Sequence, residues 1–420
     1  MLTKRPRGTN DFLPDDTIKW QWLEEKIRDL CSDFGYGEIR TPTFEHTELF
    51  IRGVGETTDI VEKEMYTFLD KGERSITLRP EGTASVVRAF LEHKIYSKAQ
   101  PTKMYYVGPM YRYDRPQAGR YRQFHQFGVE AFGSIDPAID AEVITLAMEL
   151  LNRLGLDQLA LHINSVGCPE CRPIHKQELK KYLEDSLDKL CDTCRQRYEK
   201  NPLRIFDCKS KECQELIKDA PSVTSCLCEE CRQHFDQVCN ILNSLGVSYE
   251  VDEGLVRGLD YYTRTTFEIL VEGIGAQSAI CGGGRYDKLV EQCGGPDIPG
   301  IGFAIGLERL LMTLDIHGIK PDIPKSKKFF MAYVSDETKI EATKLVNELR
   351  QNRLAADMDY MGRSLKAQLK YADKLDATYT LILGEEELQK GKVTLRDMLK
   401  GEQHEVMLEN LIDYCKKLIK

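Results

Sequence analysis

Four arginines flank a predicted turn in the first third of the 420-residue chain. They are Arg112, Arg115, Arg120 and Arg122. Residues 111–130 read YRYDRPQAGRYRQFHQFGVE, and Pro116 and Gly119 mark the turn between two strand-like segments. A guanidinium group is a planar fork of donors that binds phosphate through paired hydrogen bonds. The segment therefore predicts either a phosphate-binding hairpin or an exposed basic hairpin with surface ion pairs.

The strand after this turn carries an unusual set of side chains on one face. Because alternate residues of a strand point to the same side, a cation, an aromatic ring, an amide, a glycine and a carboxylate share that face. They are Arg122, Phe124, Gln126, Gly128 and Glu130. This combination suits a nucleotide that lies beside a small polar substrate.

The sequence contains no phosphate-binding loop of the pattern G-x-x-x-x-G-K-[ST]. The run GIGFAIG at residues 300–306 differs by one position from the dinucleotide pattern G-x-G-x-x-G, and it lies in a predicted strand. We therefore expect arginine side chains to hold the phosphates of a bound nucleotide.

Nine of the 14 cysteines fall between residues 168 and 231, and eight of these form four closely spaced pairs. The pairs are Cys168/Cys171, Cys191/Cys194, Cys208/Cys213 and Cys228/Cys231, with Cys226 left over. Disulfides are rare in a reducing compartment, whereas two thiolates at this spacing can occupy one edge of a tetrahedral zinc site. The first two pairs have the separation expected of one four-cysteine zinc site and the last two offer a second, but the sequence leaves the combination of pairs open. An iron–sulfur cluster and a set of reduced, buried thiols are the alternatives.

The composition is that of a globular protein of two or three domains, with 41% hydrophobic and 30% charged residues. No apolar run reaches the length of a transmembrane helix and no apolar segment follows the polar N-terminus, so we expect a cytoplasmic protein that does not bind a membrane. The net charge of −9 disfavours indiscriminate coating of nucleic acid. Residues 325–420 nevertheless carry 18 basic and 16 acidic side chains, a net +2, which leaves −11 for the rest.

Hydrophobic periodicity predicts a mixture of helices and strands over residues 1–320. The helices are at 15–34, 83–92, 138–154 and 307–314, and the strands are at 38–41, 75–78, 103–111, 121–132, 255–257, 262–270, 277–281 and 299–305. This order favours an α+β fold with a mainly antiparallel sheet. The cysteine-rich, mainly helical residues 167–245 interrupt the pattern and are interpreted as an insertion.

The pattern of predicted secondary structure changes again after a predicted linker at 321–328, which contains two prolines and several lysines. Strands and helices alternate over residues 329–383, and two strand-like runs and a final helix at 409–419 follow. About a hundred residues can support one core, so this segment is predicted to be a small α/β domain.

Seven stretches, in the same order, resemble those of the histidyl-tRNA synthetases, which belong to the class II aminoacyl-tRNA synthetases. Residues 111–130 are similar to motif 2 of that class, residues 300–309 (GIGFAIGLER) to motif 3, and the helix and strand that end at Pro42 to motif 1. Four stretches resemble this family in particular: RGTNDFLP at 7–14, TLRPEGT at 77–83, LVRGLDYY at 255–262 and GGGRYD at 282–287. The resemblance is close over residues 1–320 and looser in the C-terminal domain.

The resemblance implies that ATP binds to motifs 2 and 3. It assigns the α-phosphate to Arg112, the adenine ring to Phe124 and the far end of a bent ATP to Arg309. Arg257 is similar to an arginine that stabilises charge on the α-phosphate together with Arg112, and an ordinary ion pair with Asp260 is the alternative. The implied catalytic residues are thus Arg112 and Arg257, and the implied ATP-binding residues are Arg112, Arg120, Phe124 and Arg309.

The resemblance also implies a site for histidine. Acceptors for its α-ammonium group are Glu81, Thr83 and Gln126, and groups that read its imidazole are Glu130 and Tyr262, with Tyr261 adjacent. The complete implied set is Glu81, Thr83, Arg112, Gln126, Glu130, Arg257, Tyr261 and Tyr262. Implied contacts with the acceptor end of tRNA are Arg115, Gln117 and Arg122, for which a solvated loop is the alternative.

The resemblance therefore predicts an enzyme that activates L-histidine with ATP and Mg²⁺ and transfers it to the 3′ end of histidine tRNA for protein synthesis. The family is homodimeric through motif 1. The predicted organisation is a class II catalytic domain in two parts (1–166 and 246–320), the insertion (167–245), the linker (321–328) and an α/β anticodon-binding domain (329–420).

Two alternatives belong to other functional classes. One is the family's paralogue that serves as a regulatory subunit in histidine biosynthesis and does not charge tRNA. It normally lacks the full Arg257–Tyr262 stretch and the C-terminal domain, and this chain has both. The other is a tRNA-sensing module of a larger regulator, whose additional domains are not found in this sequence.

Overall fold

The computed structural model describes residues 4–55, 58–117, 119–206, 208–271, 279–323 and 327–419. The chain divides into two compact units, Met1–Pro321 and Asp322–Lys420. The division falls at the start of the predicted linker, of which residues 324–326 lie outside the described residues. No helix in the described parts of the chain is long and apolar enough to cross a membrane.

An eight-stranded sheet forms the centre of the N-terminal unit. The strands of this unit are β1 (Gly37–Glu38), β2 (Phe44–His46), β3 (Tyr66–Leu69), β4 (Ser75–Leu78), β5 (Thr102–Tyr111), β6 (Gln123–Phe132), β7 (Leu159–Ser165), β8 (Glu250–Val251), β9 (Thr263–Val271), β10 (Ala279–Arg285) and β11 (Gly300–Gly306). The large sheet has the order β1-β5-β6-β11-β10-β9-β7-β8, and β2-β4-β3 form a small second sheet. In the eight-stranded sheet the five central strand pairings are antiparallel, and only the short edge strands β1 and β8 pair in parallel with their neighbours. The predicted α+β fold with a mainly antiparallel sheet is confirmed.

The described residues of this unit form ten α-helices. They are α1 (Pro14–Asp33), α2 (Thr47–Val54), α3 (Thr83–Glu92), α4 (Pro137–Arg153), α5 (Cys171–Leu183), α6 (Asp192–Lys200), α7 (Lys211–Ile217), α8 (Glu229–Ser244), α9 (Leu289–Gln292) and α10 (Leu307–Ile316). Helices α1, α4, α8 and α10 share the main hydrophobic core with the strands. Helix α1 begins at Pro14, because proline is tolerated in the first turn, and its residues Leu23, Ile27 and Leu30 are fully buried on one face.

Helices α5 to α8 lie between β7 and β8. These two strands pair in parallel, with His162 opposite Glu250, so the helical segment leaves and re-enters the sheet at the same edge. Part of this segment has its own small core, separate from that of the sheet. Helix α8 also packs against α4 and so joins the main core.

A buried ion pair fixes the end of β10. Arg285 and Asp140 of α4 are both fully buried, and Nη2 of Arg285 lies 2.5 Å from Oδ2 of Asp140. Arg285 also donates from Nη1 to the carbonyl of Ser134 and to Asp287, each at 3.0 Å. A buried guanidinium is tolerated only when it is paired and hydrogen-bonded, so these contacts set the position of β10 against α4.

The C-terminal unit is a five-stranded sheet with helices, as the alternation of elements predicts. Its elements are β12 (Lys328–Tyr333), α11 (Asp336–Gln351), β13 (Ala355–Met358), α12 (Leu365–Lys374), β14 (Tyr379–Leu383), α13 (Glu385–Gln389), β15 (Lys392–Asp397), β16 (Gln403–Met407) and α14 (Leu411–Ile419). The strand order is β13-β12-β14-β15-β16. Strands joined by helix crossovers pair in parallel, and the last three pair antiparallel through short connections.

Two predicted strands differ from the structure, and residues 277 and 278 of the strand predicted at 277–281 lie outside the described residues. Residues 255–257 form no strand, because Nδ2 of Asn164 donates to the carbonyl of Leu255 at 3.0 Å and the N–H of Leu255 donates to Asp252. The predicted strand at 38–41 is reduced to β1. The carbonyl of Thr41 instead accepts from Nη1 of Arg79 at 2.9 Å. In both segments a side chain thus donates a hydrogen bond to a backbone carbonyl that a neighbouring strand would otherwise bind.

Candidate active site

A cavity of about 440 Å³ opens over the central strands β6, β11, β10 and β9. Its floor comes from these strands, of which β10 and β11 are rich in glycine. Its walls come from the segment between β4 and α3, from the β5–β6 hairpin and from the loop that precedes β9. These elements are far apart in sequence and meet only because the strands lie side by side.

Most of the sequence-predicted binding residues line this one cavity. They are Glu81, Thr83, Arg112, Arg120, Phe124, Gln126, Arg257, Tyr261, Tyr262 and Arg309. The residues that do not line it are Arg115, Gln117, Arg122 and Glu130. Arg115 and Gln117 are exposed in the β5–β6 hairpin, and the guanidinium carbon of Arg122 lies 3.9 Å from the centre of the Tyr113 ring.

Arg112 is held rigidly at the end of the β5–β6 hairpin. Its Nε donates to the carbonyl of Pro80 at 2.7 Å, and its guanidinium carbon lies 5.4 Å from the centre of the Phe124 ring. Burial lowers the pKa of Arg112, and the nearby carboxylates of Glu64 and Glu81 act in the opposite direction. A cation and an aromatic ring are therefore fixed side by side, but the cation is Arg112. Arg122, which the alternation of side chains placed on the face of Phe124, stacks on Tyr113 instead.

Arg257 reaches the cavity from the loop before β9. Its Nη1 lies 2.6 Å from Oε1 of Glu268, so the carboxylate that pairs with it is in β9. Its Nε is buried without a hydrogen-bond partner among the described residues. A Cβ atom at Gly282 would lie 1.9 Å from Nη2 of Arg257, so only glycine at this position of β10 allows the guanidinium to rest on the strand.

Glu130 lies beneath the cavity floor and is almost fully buried. Its Oε1 accepts a hydrogen bond from Oγ1 of Thr83 at 2.7 Å, and its Oε2 accepts one from the hydroxyl of Tyr286. Burial raises the pKa of Glu130 to about 8, although both hydrogen bonds act to lower it. Thr83 and Tyr286 line the cavity, so Glu130 lies directly behind two groups that face it.

Glu81 and Gln126 supply acceptors in the same part of the cavity. Oε2 of Glu81 accepts from the N–H of Thr83 at 2.7 Å, and Oε1 accepts from the N–H of Ala84 at 2.9 Å, so the carboxylate caps the start of α3. Burial raises its pKa as well. The Oε1 atom of Gln126 is buried with no hydrogen-bond partner among the described residues, so it is available to a ligand.

The glycine predicted in this face, Gly128, makes room for an aromatic ring. A Cβ atom at Gly128 would lie 2.2 Å from the ring of Tyr106, which packs against the strand and lines the cavity.

Arg309, in the first turn of α10, lies at the cavity edge, where its Nη1 donates to the carbonyl of Ala279 at 2.7 Å. Burial lowers the pKa of Arg309.

Sequence reasoning missed several residues that line or support the cavity. The most prominent are Glu64, Tyr106, Glu268 and Tyr286. Glu268 carried a usable signal, since a glutamate within the apolar strand β9 is as difficult to explain by packing alone as Glu130 is in β6. Tyr286 lies inside the GGGRYD stretch, and its contact with Glu130 depends on the pairing of β10 and β11 with β6, which the sequence does not specify.

Outside the cavity, the cysteine pairs of residues 168–231 form two groups that could hold a metal ion. One group is Cys168, Cys171, Cys228 and Cys231, and the other is Cys191, Cys194, Cys208 and Cys213. Within each group the Sγ atoms all lie within 4.8 Å of one another. The first pair in sequence thus joins the last, which differs from the grouping of neighbouring pairs that spacing suggests.

The buried carboxylate of Glu130 makes a testable contribution to stability. Its pKa of about 8 in the folded chain exceeds its ordinary value of 4.5, so the folded state binds the extra proton and loses stability as the pH rises through this range. Glu130→Gln removes this loss. In urea unfolding followed by the fluorescence of Trp20 and Trp22, we expect the variant to gain about 2 kcal/mol relative to the unmodified chain between pH 6 and pH 8. The matched control is Glu178→Gln, an exposed glutamate, and equal pH dependence of all three proteins would contradict the assignment.

Comparisons with known proteins agree with this geometry. The family model of histidyl-tRNA synthetase matches residues 8–310, and the model of the anticodon binding domain matches residues 323–418. The histidine–tRNA ligase of Desulforamulus reducens is 60% identical and is covered over 99% of both chains, and that of Halothermothrix orenii is 57% identical over 100% of both. The crystal structure of apo histidyl-tRNA synthetase from S. aureus matches with a TM-score of 0.84 at 42% identity, over 98% of this chain and 99% of that chain. The chain therefore belongs to the histidyl-tRNA synthetase family of class II aminoacyl-tRNA synthetases, and it carries that family's catalytic fold and a C-terminal anticodon-binding domain.

Proposed function

We propose that the protein activates L-histidine with ATP and transfers it to the 3′ end of histidine tRNA in the cytoplasm. The observation that supports this most directly is the single cavity that brings Arg112 and Arg257 together with the acceptors Glu81 and Gln126. Two cations suit a phosphate, and neighbouring acceptors suit an ammonium group. An amino acid and a nucleotide can thus share one site.

ATP binds along the hairpin and motif 3. Arg112 binds the α-phosphate, the adenine ring stacks on Phe124, and Arg120 and Arg309 hold the far phosphates. Magnesium enters as part of the substrate, because it is carried by the phosphate oxygens of ATP. Arg120 already neutralises Asp114 at 3.1 Å, so phosphate binding replaces that exposed ion pair.

The first chemical step forms histidyl-adenylate. An oxygen of the histidine carboxylate attacks the α-phosphorus, the bond from that phosphorus to the bridging oxygen breaks, and pyrophosphate leaves with the bonding electrons. Negative charge grows on the phosphoryl oxygens, and Arg112 and Arg257 stabilise it from fixed positions. Burial of both guanidinium groups strengthens this interaction because little water screens it.

Histidine binds where the acceptors converge. Glu81, Thr83 and Gln126 receive its α-ammonium group, and its carboxylate faces Arg112. The imidazole lies toward Tyr261 and Tyr262, with Glu130 behind Thr83 and Tyr286. Because its two oxygens bond to the hydroxyls of Thr83 and Tyr286, Glu130 acts on the imidazole through these groups rather than by direct contact.

The second step uses the same cavity. A hydroxyl of the terminal ribose of tRNA attacks the carbonyl carbon of histidyl-adenylate, and AMP leaves. Arg115 and Gln117 are exposed in the hairpin beside the cavity, and with Arg122 they are our candidates for contacting the acceptor end. The C-terminal unit recognises the anticodon.

We also propose that the protein is a homodimer assembled through motif 1. Close to that motif, the three-stranded sheet exposes Phe44, Phe68 and Leu69 to solvent. Exposed apolar groups of this kind are typical of a surface that a partner covers.

The domain boundaries proposed for the chain remain 1–166 and 246–320 for the catalytic domain, 167–245 for the insertion, 321–328 for the linker and 329–420 for the anticodon-binding domain.

Arg257 provides the sharpest kinetic test. Arg257→Ala is expected to leave folding nearly unchanged and to slow histidine-dependent ATP–pyrophosphate exchange by at least ~100-fold, because a cation that stabilises the transition state is lost. Arg153→Ala removes an exposed, ion-paired arginine and should exchange at the normal rate. A near-normal rate for Arg257→Ala would remove this residue from the mechanism.

Removal of residues 325–420 tests the division of labour between the two units. The truncated chain should retain histidine-dependent pyrophosphate exchange much better than tRNA charging, because every cavity residue precedes the cut. Both activities are measured on the same preparations. An equal loss of the two would mean that the C-terminal unit instead supports the catalytic fold or the dimer.

A further inference from the structure

Eight cysteines of the helical segment form two compact groups that the proposed reaction does not use. We name the group of Cys168, Cys171, Cys228 and Cys231 the outer site, and the group of Cys191, Cys194, Cys208 and Cys213 the inner site. The inner site lies entirely within the loop of chain that the outer site closes. All fourteen cysteines, each among the described residues, are free thiols.

The sulfur positions fit a tetrahedral metal ion. The Sγ atom of Cys168 lies 3.6 Å from that of Cys171 and 3.9 Å from that of Cys228, and in the inner site Cys191 and Cys208 are 3.8 Å apart. Zinc–sulfur bonds of about 2.3 Å give a tetrahedron with edges of about 3.8 Å. A disulfide requires about 2.05 Å, so these distances match four ligands around one ion and exclude a covalent pair.

The backbone around the sulfurs is arranged to stabilise thiolates. The N–H of Cys228 donates to Sγ of Cys171 at 3.1 Å, and the N–H of Cys191 donates to Sγ of Cys213 at 3.3 Å. Cys171 opens α5, and Cys191 and Cys228 directly precede α6 and α8. Amide donors and the positive ends of helices favour the deprotonated sulfur that a metal requires.

The inner site also occupies the centre of a core that is otherwise small. The buried members of that core are Leu179, Leu183, Leu190, Cys194, Ile205, Cys208, Cys213 and Ile217. Three of these are cysteines of the inner site, and five aliphatic side chains alone bury little apolar surface. A structural metal ion supplies folding energy in domains of this kind.

We propose that residues 167–245 bind two zinc ions, one in the outer site and one in the inner site, so that the four cysteine pairs are nested along the chain. Zinc suits four thiolates in a tetrahedron and brings no redox chemistry. An iron–sulfur cluster places iron and sulfide between its ligands, so its cysteine sulfurs would lie further apart.

Both sites support groups that reach the catalytic cavity. Arg172, next to Cys171 of the outer site, donates to the carbonyl of Asp260 at 3.1 Å. Arg204, between the two pairs of the inner site, forms an ion pair of 2.8 Å with Asp59, and both residues line the cavity. Zinc in the outer site therefore positions Arg172 against the loop that carries Tyr261 and Tyr262, and zinc in the inner site positions Arg204 against Asp59 at the cavity wall.

Metal analysis of the full chain, purified under reducing conditions without a chelator, tests the proposal. We expect two zinc ions per chain, one for each site. Titration with a thiol-specific mercurial should release both as the eight cluster thiols react. Less than stoichiometric metal with all nine thiols freely reactive, or iron with acid-labile sulfide, would overturn the proposal.

Paired substitutions test the nesting. The variant C168S/C171S should retain one zinc ion, and adding C228S/C231S should remove no more, because those pairs share the outer site. Adding C191S/C194S instead should remove the second ion. The opposite pattern would mean that neighbouring pairs share a site. The matched control is Cys226→Ser, a cysteine of the same segment outside both groups, which should retain both ions.

A readout on the unmodified protein covers variants that fail to fold. After mercurial release of zinc, limited proteolysis should cut within residues 167–245 first, and restoring thiols and zinc should restore protection. Cobalt added in place of zinc should give the intense thiolate-to-metal absorption of tetrahedral sulfur sites. Unchanged proteolysis or the absence of this absorption would contradict the structural role of the metal.

Discussion

The burial of ionisable side chains around the central sheet is the constraint on which the N-terminal unit depends. Glu81, Glu130 and Arg285 are 4%, 1% and 0% exposed. A buried charge costs several kcal/mol unless it is paired or hydrogen-bonded. Glu81 is satisfied by amides at the start of α3, Glu130 by the hydroxyls of Thr83 in α3 and of Tyr286 just after β10, and Arg285 by Asp140 of α4. Each of these elements must therefore be in place before the cavity can form.

The same constraint prepares the cavity for chemistry. Guanidinium groups with little water around them interact strongly with phosphate, and they do not have to reorganise when charge develops. Glycine in β10 is what allows Arg257 to lie against the strand, at the cost of a weaker strand former. By itself the GGG run of β10 predicts only a turn or a weak strand. Its first glycine, Gly282, is explained by the space that Arg257 needs.

The sequence predicts much of this site, and the misses have physical causes. Residues in contiguous motifs, such as Arg112 and Phe124, are found because their spacing in a strand or hairpin already fixes their relation. Glu130 lies on the predicted face of β6, but its depth below the cavity floor depends on strand pairing that residues distant in sequence determine.

The predicted strand at 255–257 does not form, because the side chain of Asn164 donates a hydrogen bond to a carbonyl of that segment. The cysteine spacing identifies metal-ligand pairs, whereas their nested combination depends on the fold. Helix α8 begins next to Cys228 and leads the chain back to β8, so Cys228 and Cys231 lie beside Cys168 and Cys171, which follow β7.

The central claim is that the cavity selects histidine and activates it with ATP. It is tested most directly by ATP–pyrophosphate exchange with the full-length chain and each standard amino acid in turn, without tRNA. We predict exchange with L-histidine alone, at a rate that depends on magnesium. No exchange with histidine, or comparable exchange with another amino acid, would contradict the assignment of this cavity.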